Sequence, residues 1–272
     1  MEANQLVLEE IPFDIDELVE EVAEIYALKA ADKEIEIITR IDTDLNPLRI
    51  GDPGRLKQIL LNLISNAIKF TDNGEIVISY YKQPDEIDGS KLMLSVADTG
   101  IGISQDKLET IFASFTQADT STTRKYGGTG LGLTISKHLT GKMEGNIWVE
   151  SKEGEGSCFF VKIALSEQEQ KVTIKKTLSD QTVLIIDPSL SMCESLENYL
   201  SAYGANCYHS NVASMPNTVS KDAIDIFLID SQLFFLDDKV NPAFSHLDNM
   251  SNIVLLVNPK HISVYSKLSK KQ

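Results

Sequence analysis

A chain of 272 residues, 42% hydrophobic and 24% charged, has the composition of a globular protein of one large or two ordinary domains. Its formal net charge of −15 argues against the basic face that non-specific nucleic-acid binding needs. No run approaches the roughly 18 apolar residues that cross a bilayer.

No cationic, apolar-cored start resembles a signal peptide. Cys158, Cys193 and Cys207 lack CxxC spacing, so reduced thiols in a cytosolic setting are expected, rather than disulfides or zinc. Acid is concentrated early: residues 1–50 carry fourteen Asp/Glu against four Lys/Arg, the pattern of a solvated helical face.

Residues 1–12 are too short to form a unit. Phe13–Asp32 sets Leu18, Val22, Ile25 and Tyr26 at helical spacing, with Asp14 or Asp16 as the cap. Ile35–Asp42 alternates as a half-buried strand, and Asp44–Gly54, with Pro47, Gly51, Pro53 and Gly54, reads as turn chemistry. Leu56–Phe70 predicts a helix with Leu56, Ile59, Leu60, Leu63, Ile64 and Ala67 inward. Asn73-Gly74 turns into a strand over Glu75–Tyr81, and Asp88-Gly89 turns again before a strand over Lys91–Asp98. A helix over Leu131–Met143 and strands over Gly145–Ser151 and Cys158–Leu165 follow. The sum is a mixed, mainly antiparallel sheet covered on one face by helices.

Ser166–Gln181 is polar and reads as a linker. Beyond it, apolar strands over Val183–Asp187, Asn206–His209, Ala223–Asp230 and Ile253–Val257, with a helix over Ser189–Tyr203, predict a parallel, doubly wound sheet.

Two glycine clusters, Gly100/Gly102 and Gly127/Gly128/Gly130/Gly132, flank a Ser/Thr-rich loop. The second runs into a helix, and a glycine-rich turn at a helix N-terminus cradles phosphate because orphan N–H groups and the helix dipole favour negative charge. It is not a Walker loop, since Ser136 stands where the glycine preceding Gly141-Lys142 would be required. Nor is it a dinucleotide fingerprint, because GxGxxG from Gly128 meets Leu133. Asn62 and Asn66, four apart, share a helix face, and neutral amide oxygens suit Mg²⁺.

The segments QILLNLISNAIKFT (58–71), DTGIGI (98–103), IFASFTQAD (111–119) and YGGTGLGL (126–133) resemble the asparagine, glycine and aromatic boxes of the ATP-binding domain of sensor histidine kinases. Lys152–Gly156 resembles a third glycine box. The resemblance implies an α+β, histidine-kinase-type (Bergerat) α/β sandwich over 13–166. Residues 1–12 would end a helical dimerisation and phosphoacceptor domain, with a linker at 167–181. The same resemblance implies ATP and Mg²⁺ as ligands. Asn66 would hold the metal and Asn62 line the same site, while Lys69 approaches the phosphates. Asp98 would accept from the adenine amino group, with Gly100 and Gly102 close to the base. Arg124, Gly128, Thr129, Gly130, Leu131 and Gly132 would lie along the nucleotide, Lys125 would face solvent, and Phe112 and Phe115 would position a lid.

Gyrase-like members of this fold place a glutamate at position 62 as general base, and an amide cannot take that proton. The pocket is thus expected to hold Mg·ATP for an external nucleophile, in the family a histidine. His138, His209, His246 and His261 stand in no phosphoacceptor motif, so the acceptor is expected on a domain absent from this sequence.

Residues 182–272 resemble a flavodoxin-like receiver domain, incomplete and degenerate. Asp230 matches its phosphoacceptor position and Asp187 ends its first strand. Pro188 replaces the second acidic ligand, Val257 or Asn258 stands at the switch position, and the sequence stops at Gln272 before a fifth strand with its lysine. The implied parent is a hybrid sensor kinase, homodimeric and anchored in the inner membrane. Its implied partners are its own phosphoacceptor domain and a response regulator or phosphotransfer protein. This stretch is expected to be cytoplasmic, touching neither membrane nor nucleic acid. Two other readings stay open: a self-sufficient ATPase of the same fold, and a non-catalytic nucleotide-sensing or docking module that regulates a partner kinase.

Overall fold

The computed structural model describes residues 7–82, 91–113, 131–210, 223–236, 239–242, 244 and 252–257. The chain divides into two compact units, Met1–Val172 and Thr173–Gln272.

In the first unit the elements run β1 (Ile11–Asp14), α1 (Ile15–Ala31), β2 (Ile35–Ile41), β3 (Leu48–Gly51) and α2 (Pro53–Phe70). Then come β4 (Gly74–Lys82), β5 (Lys91–Asp98), the single turn α3 (Gln105–Leu108), α4 (Gly132–Lys142), β6 (Asn146–Lys152), β7 (Gly156–Ala164) and β8 (Ser166–Glu167). The main sheet has the order β2-β4-β5-β7-β6. Only β2 and β4 pair in parallel; the other three pairings are antiparallel, as the alternation predicts.

Helix α2 is set by its ends. The Asp52 carboxylate accepts from Arg55 N at 2.9 Å, Pro53 occupies the first turn, where its missing N–H costs nothing, and the helix gives way at Thr71. Its inward face is the predicted stripe plus Ile68, all buried against the sheet. For α1, Asp14 is the cap, accepting from Asp16 N and Glu17 N, and Asp16 lies inside the first turn. Central strand β5 is buried on both faces from Leu92 to Val96. Helices cover one face; on the other, Ser95, Phe160 and Trp148 stand in cross-strand register, the two rings stacked at 5.2 Å.

The structure departs from the sequence reading at the strand within 44–54. There β3 pairs antiparallel with β1, setting Ile11 opposite Gly51, and with β8, setting Arg49 opposite Glu167. Four residues between two prolines carry no usable periodicity, so the strand exists through partners distant in sequence. Fully buried Arg49 meets Glu167 at 3.2 Å. A Cβ on Gly51 would come within 2.5 Å of the Leu165 side chain. Ile11 and Pro12, read from the sequence as the end of a preceding domain, and Ser166–Glu167, read as the start of a linker, are consequently strand residues of this unit.

In the second unit, β9 (Thr182–Ile186), α5 (Leu190–Ala202), β10 (Asn206–Ser210), β11 (Ile226–Asp230) and β12 (Ile253–Leu256) build a wholly parallel sheet of order β10-β9-β11-β12. Strand β9 is buried on both faces. Val183 and Ile185 pack with Cys193 of α5, while Leu184 and Ile186 pack with Phe227, Ile229, Phe234 and Phe244. A continuous apolar run is what a parallel strand covered on both faces requires.

Candidate functional site

Three segments converge around α2. Its C-terminal end meets the turn after β5, that turn meets the β6–β7 hairpin, and its middle meets the start of α4.

The turn after β5 is held by close backbone approaches. Asp98 Oδ1 accepts from Gly100 N at 2.9 Å, and Ile101 N donates to Phe70 O, the last residue of α2, at 3.2 Å. A Cβ on Gly100 would lie 2.4 Å from that Phe70 carbonyl oxygen. Gly102 has φ +68°, and a Cβ there would lie 2.1 Å from Lys152 O in the hairpin. Gly154 N donates to Ile101 O at 2.8 Å, Ile103 N donates to Ser151 Oγ at 2.8 Å, and a Cβ on Gly156 would meet Asp98 O at 2.0 Å. The Lys152–Gly156 turn is therefore the support against which the Asp98–Gly102 turn is pressed.

Burial raises the Asp98 carboxyl above the usual aspartate range, opposed in part by the backbone N–H groups of Gly100 and Ser157. A carboxylate offers about four acceptor sites, so two backbone donors leave capacity for a further N–H. Burial also lowers Lys69 below the usual lysine range; its Nζ lies 4.8 Å from the Phe70 ring centroid.

Asn62 and Asn66 share a face of α2 but differ in engagement. Asn62 Nδ2 donates to the buried Ser136 Oγ of α4 at 2.8 Å, and a Cβ on Gly132 would sit 2.1 Å from Asn62 Oδ1. The side chain of half-buried Asn66 makes no hydrogen bond to another described residue. Leu131 immediately precedes α4 and Gly132 is its first residue. Phe112 packs edge-on to Phe159 at 6.3 Å, and Lys137 Nζ lies 5.7 Å from its ring. Phe115, Arg124, Lys125, Gly127, Gly128, Thr129 and Gly130 lie outside the described residues.

Sequence reasoning missed two residues here. Ser136 entered it only as the glycine a Walker loop lacks, although its spacing of four from Gly132 puts both on the α4 face toward Asn62. Lys33 donates through Nζ to Ile68 O at 2.7 Å and Thr71 O at 2.9 Å, with Lys69 O at 3.5 Å. No local pattern signals a contact across 35 residues.

In the second unit, the register sets Ile186 beside Ile229, so Asp187 and Asp230 emerge together at the carboxyl edge of the sheet. Asp187 is buried and accepts from Ser189 N at 2.8 Å; Asp230 accepts from Gln232 N at 2.9 Å and Leu233 N at 3.0 Å. Among the described residues no three His, Cys, Asp or Glu side chains gather as a metal centre. His138 lies on α4 and His209 pairs with Glu197 at 2.7 Å, while His246, His261, Asn258 and Gln272 lie outside the described residues.

Residues 51–167 match the family described as histidine kinase-, DNA gyrase B- and HSP90-like ATPase. Sensor histidine kinase GacS of Pseudomonas protegens is 45% identical over 165 residues, 61% of this chain and 18% of that protein. Sensor protein GacS of Pseudomonas syringae pv. syringae is 33% identical over 268 residues, 95% of this chain and 30% of that protein. The chain thus spans less than a third of either relative. Among solved structures, full-length ShkA in complex with AMPPNP superposes with a TM-score of 0.80 at 28% identity, over 98% of this chain and 54% of that one.

Proposed function

We propose that the chain is the ATP-binding catalytic part of a sensor histidine kinase, as its match over residues 51–167 and its likeness to the GacS kinases support, and that its first unit positions Mg·ATP for phosphoryl transfer to a histidine supplied from outside these 272 residues. One observation carries the reading. Asn66 is a half-buried amide without a described protein partner, one helical turn from two anchors: Asn62 against Gly132, and Phe70 against Ile101.

An amide oxygen in that place fits Mg²⁺, a hard cation that takes most of its remaining ligands from water and phosphate. The metal's contribution is to neutralise phosphate charge. Asp98, with acceptor capacity left over, fits the adenine amino group, and the lowered Lys69 ammonium fits the phosphate side. Arg124 and the 128–130 glycine segment, with Leu131 and Gly132 at its end, are assigned to the phosphates. With Asn62 bound to Ser136 and no carboxylate in its place, water is not activated, and hydrolysis without an acceptor should be slow.

For the second unit we propose a receiver-like domain that serves regulation or interaction. Asp230 stands at the phosphoacceptor position, but Pro188 beside Asp187 removes one carboxylate, so Mg²⁺ and phosphoryl charge would be held weakly there. In the whole protein the partners would be a helical phosphoacceptor domain, a second copy of the kinase, and a response regulator or phosphotransfer protein. No helix among the described residues is long and apolar enough to cross a membrane. Membrane anchoring is accordingly assigned to other parts of the parent, with this stretch on the cytoplasmic side.

Calorimetric titration with a non-hydrolysable ATP analogue, with and without Mg²⁺, tests the pocket. Saturable binding strengthened by Mg²⁺, with that gain lost in Asn66→Ala, is expected. A wild-type chain that binds no nucleotide would sink the reading and favour a docking module.

A further inference from the structure

We propose that Lys33 is a positioning residue of the nucleotide site, acting through the C-terminal end of α2. The inference rests on the nucleotide-pocket reading above and adds to it a residue outside every glycine, asparagine and aromatic segment.

A helix leaves its last four carbonyls without intrahelical donors. In α2, Ala67 O is met by Thr71 N at 3.0 Å. The Lys33 ammonium takes Ile68 O and reaches Lys69 O, and it also takes Thr71 O just past the end. Phe70 O is left for Ile101 N of the Asp98–Gly102 turn. Of the four successive carbonyls from Ile68 to Thr71, one ammonium thus serves three, and the remaining one, Phe70 O, is the one that the Asp98–Gly102 turn uses. A lysine suits this place, since it has three donors and a cation is stabilised at the negative end of the helix dipole.

Lys33 is itself fixed. Its N–H donates to Ala30 O at 2.9 Å, and Glu34 follows in the left-handed region at φ +60° with its N–H on Ala31 O at 3.0 Å. Glu34 O accepts from Gly74 N at 3.4 Å, which joins this turn to the start of β4. The ammonium therefore projects from a turn tied to α1 on one side and β4 on the other.

The consequence follows from the tight fit beyond it. Gly100 has no room to let Phe70 O drift, so the Ile101–Phe70 bond sets the spacing between Asp98 and the Asn66–Lys69 face. Without the ammonium, the last turn of α2 frays, and the adenine side and the magnesium side of the pocket lose their fixed separation. A lysine that served only fold stability would leave affinity in the folded chain untouched.

The test uses the full chain and Lys33→Met, which keeps the apolar stem, with Lys33→Arg as rescue and exposed Lys29→Met as control. Folding is followed by Trp148 fluorescence. Amide exchange at Ile101 and Thr71 is read without ligand, and affinity is read with the Mg²⁺-loaded ATP analogue. Lys33→Met should speed both amides and weaken binding about tenfold, a difference of 1.4 kcal/mol; Lys33→Arg should recover most of the affinity, and Lys29→Met should match wild type. Unchanged exchange at Ile101, or wild-type affinity in folded Lys33→Met, overturns the proposal. A wild-type chain that binds no nucleotide refutes the pocket itself, while the ligand-free exchange still judges the clamp. Should Lys33→Met not fold, Lys33→Gln is judged by the same two readouts.

Discussion

Replacing Gly102 by alanine separates backbone conformation from close approach, because Gly154 supplies the matched comparison. Both glycines have positive φ, +68° and +84°. Each therefore costs an alanine roughly 1–2 kcal/mol of left-handed strain, offset by about 0.4–1 kcal/mol from a stiffer unfolded chain. A Cβ on Gly154 meets nothing within 4 Å, so Gly154→Ala should destabilise by about 1 kcal/mol or less. A Cβ on Gly102 falls 2.1 Å from Lys152 O, a backbone atom that cannot swing aside. Pushing the hairpin back adds roughly 1–3 kcal/mol of overpacking, for a total of about 1–4 kcal/mol. In a unit of this size that lowers Tm by roughly 2–16 °C. The assay is built in: the chain has a single tryptophan, and Trp148 lies in β6 against Phe160, so its fluorescence reports only the first unit. Equal losses in the two variants would falsify the claim that the hairpin presses on the ligand-facing turn. Gly102→Ala should also weaken nucleotide binding, while Gly154→Ala should leave it near wild type.

Asp98→Asn should fold, since the amide oxygen can still accept from Gly100 N, but should lose roughly 10- to 100-fold in affinity for an ATP analogue. A calorimetric titration showing wild-type affinity would remove Asp98 from the adenine contact. Burial raises the Asp16 carboxyl from 3.8 to about 6, with the charges of Asp14 and Glu20 adding to the effect, and the Tyr80 hydroxyl donates to it. Because the folded value lies above the unfolded one, its contribution is fully present below about pH 4 and is lost as pH rises to about 6. Asp16→Asn should flatten that part of the urea-denaturation profile and stabilise the chain at pH 7; an unchanged profile would show that Asp16 does not shape it. For the Asn62–Ser136 hydrogen bond, Asn62→Ala and Ser136→Ala should each cost about 1–3 kcal/mol, and the double variant should cost less than their sum. Strict additivity in the denaturation midpoints would mean that the two side chains do not interact.

What the sequence made legible, and what it hid, divides by the range of the physics. The α2 stripe from Leu56 to Ala67, an aspartate cap narrowed to Asp14 or Asp16 and the unbroken apolar run of β9 are local signals. The structure reproduces each within a residue or two, because periodicity and capping are decided by neighbours in the chain. The four-residue β3 was invisible for the opposite reason. It is held by β1 some forty residues before it and by β8 more than a hundred after it. The site divides the same way. Asn66, Asp98 and the glycines announce themselves by type and spacing, yet what fixes them in space is Ser136 on α4, Lys33 before β2 and Lys152 in the β6–β7 hairpin. A serine inside a helix, a lysine in a turn and a lysine at the end of a strand are ordinary residues in ordinary places, and only the fold reveals which contacts their atoms make. It follows that the glycine and asparagine boxes alone do not show whether such a pocket works. A chain could keep Asn66 and Asp98 and still bind poorly once the carbonyls at the end of α2 lose their ammonium, so Lys33 belongs beside them when the pocket is judged functional.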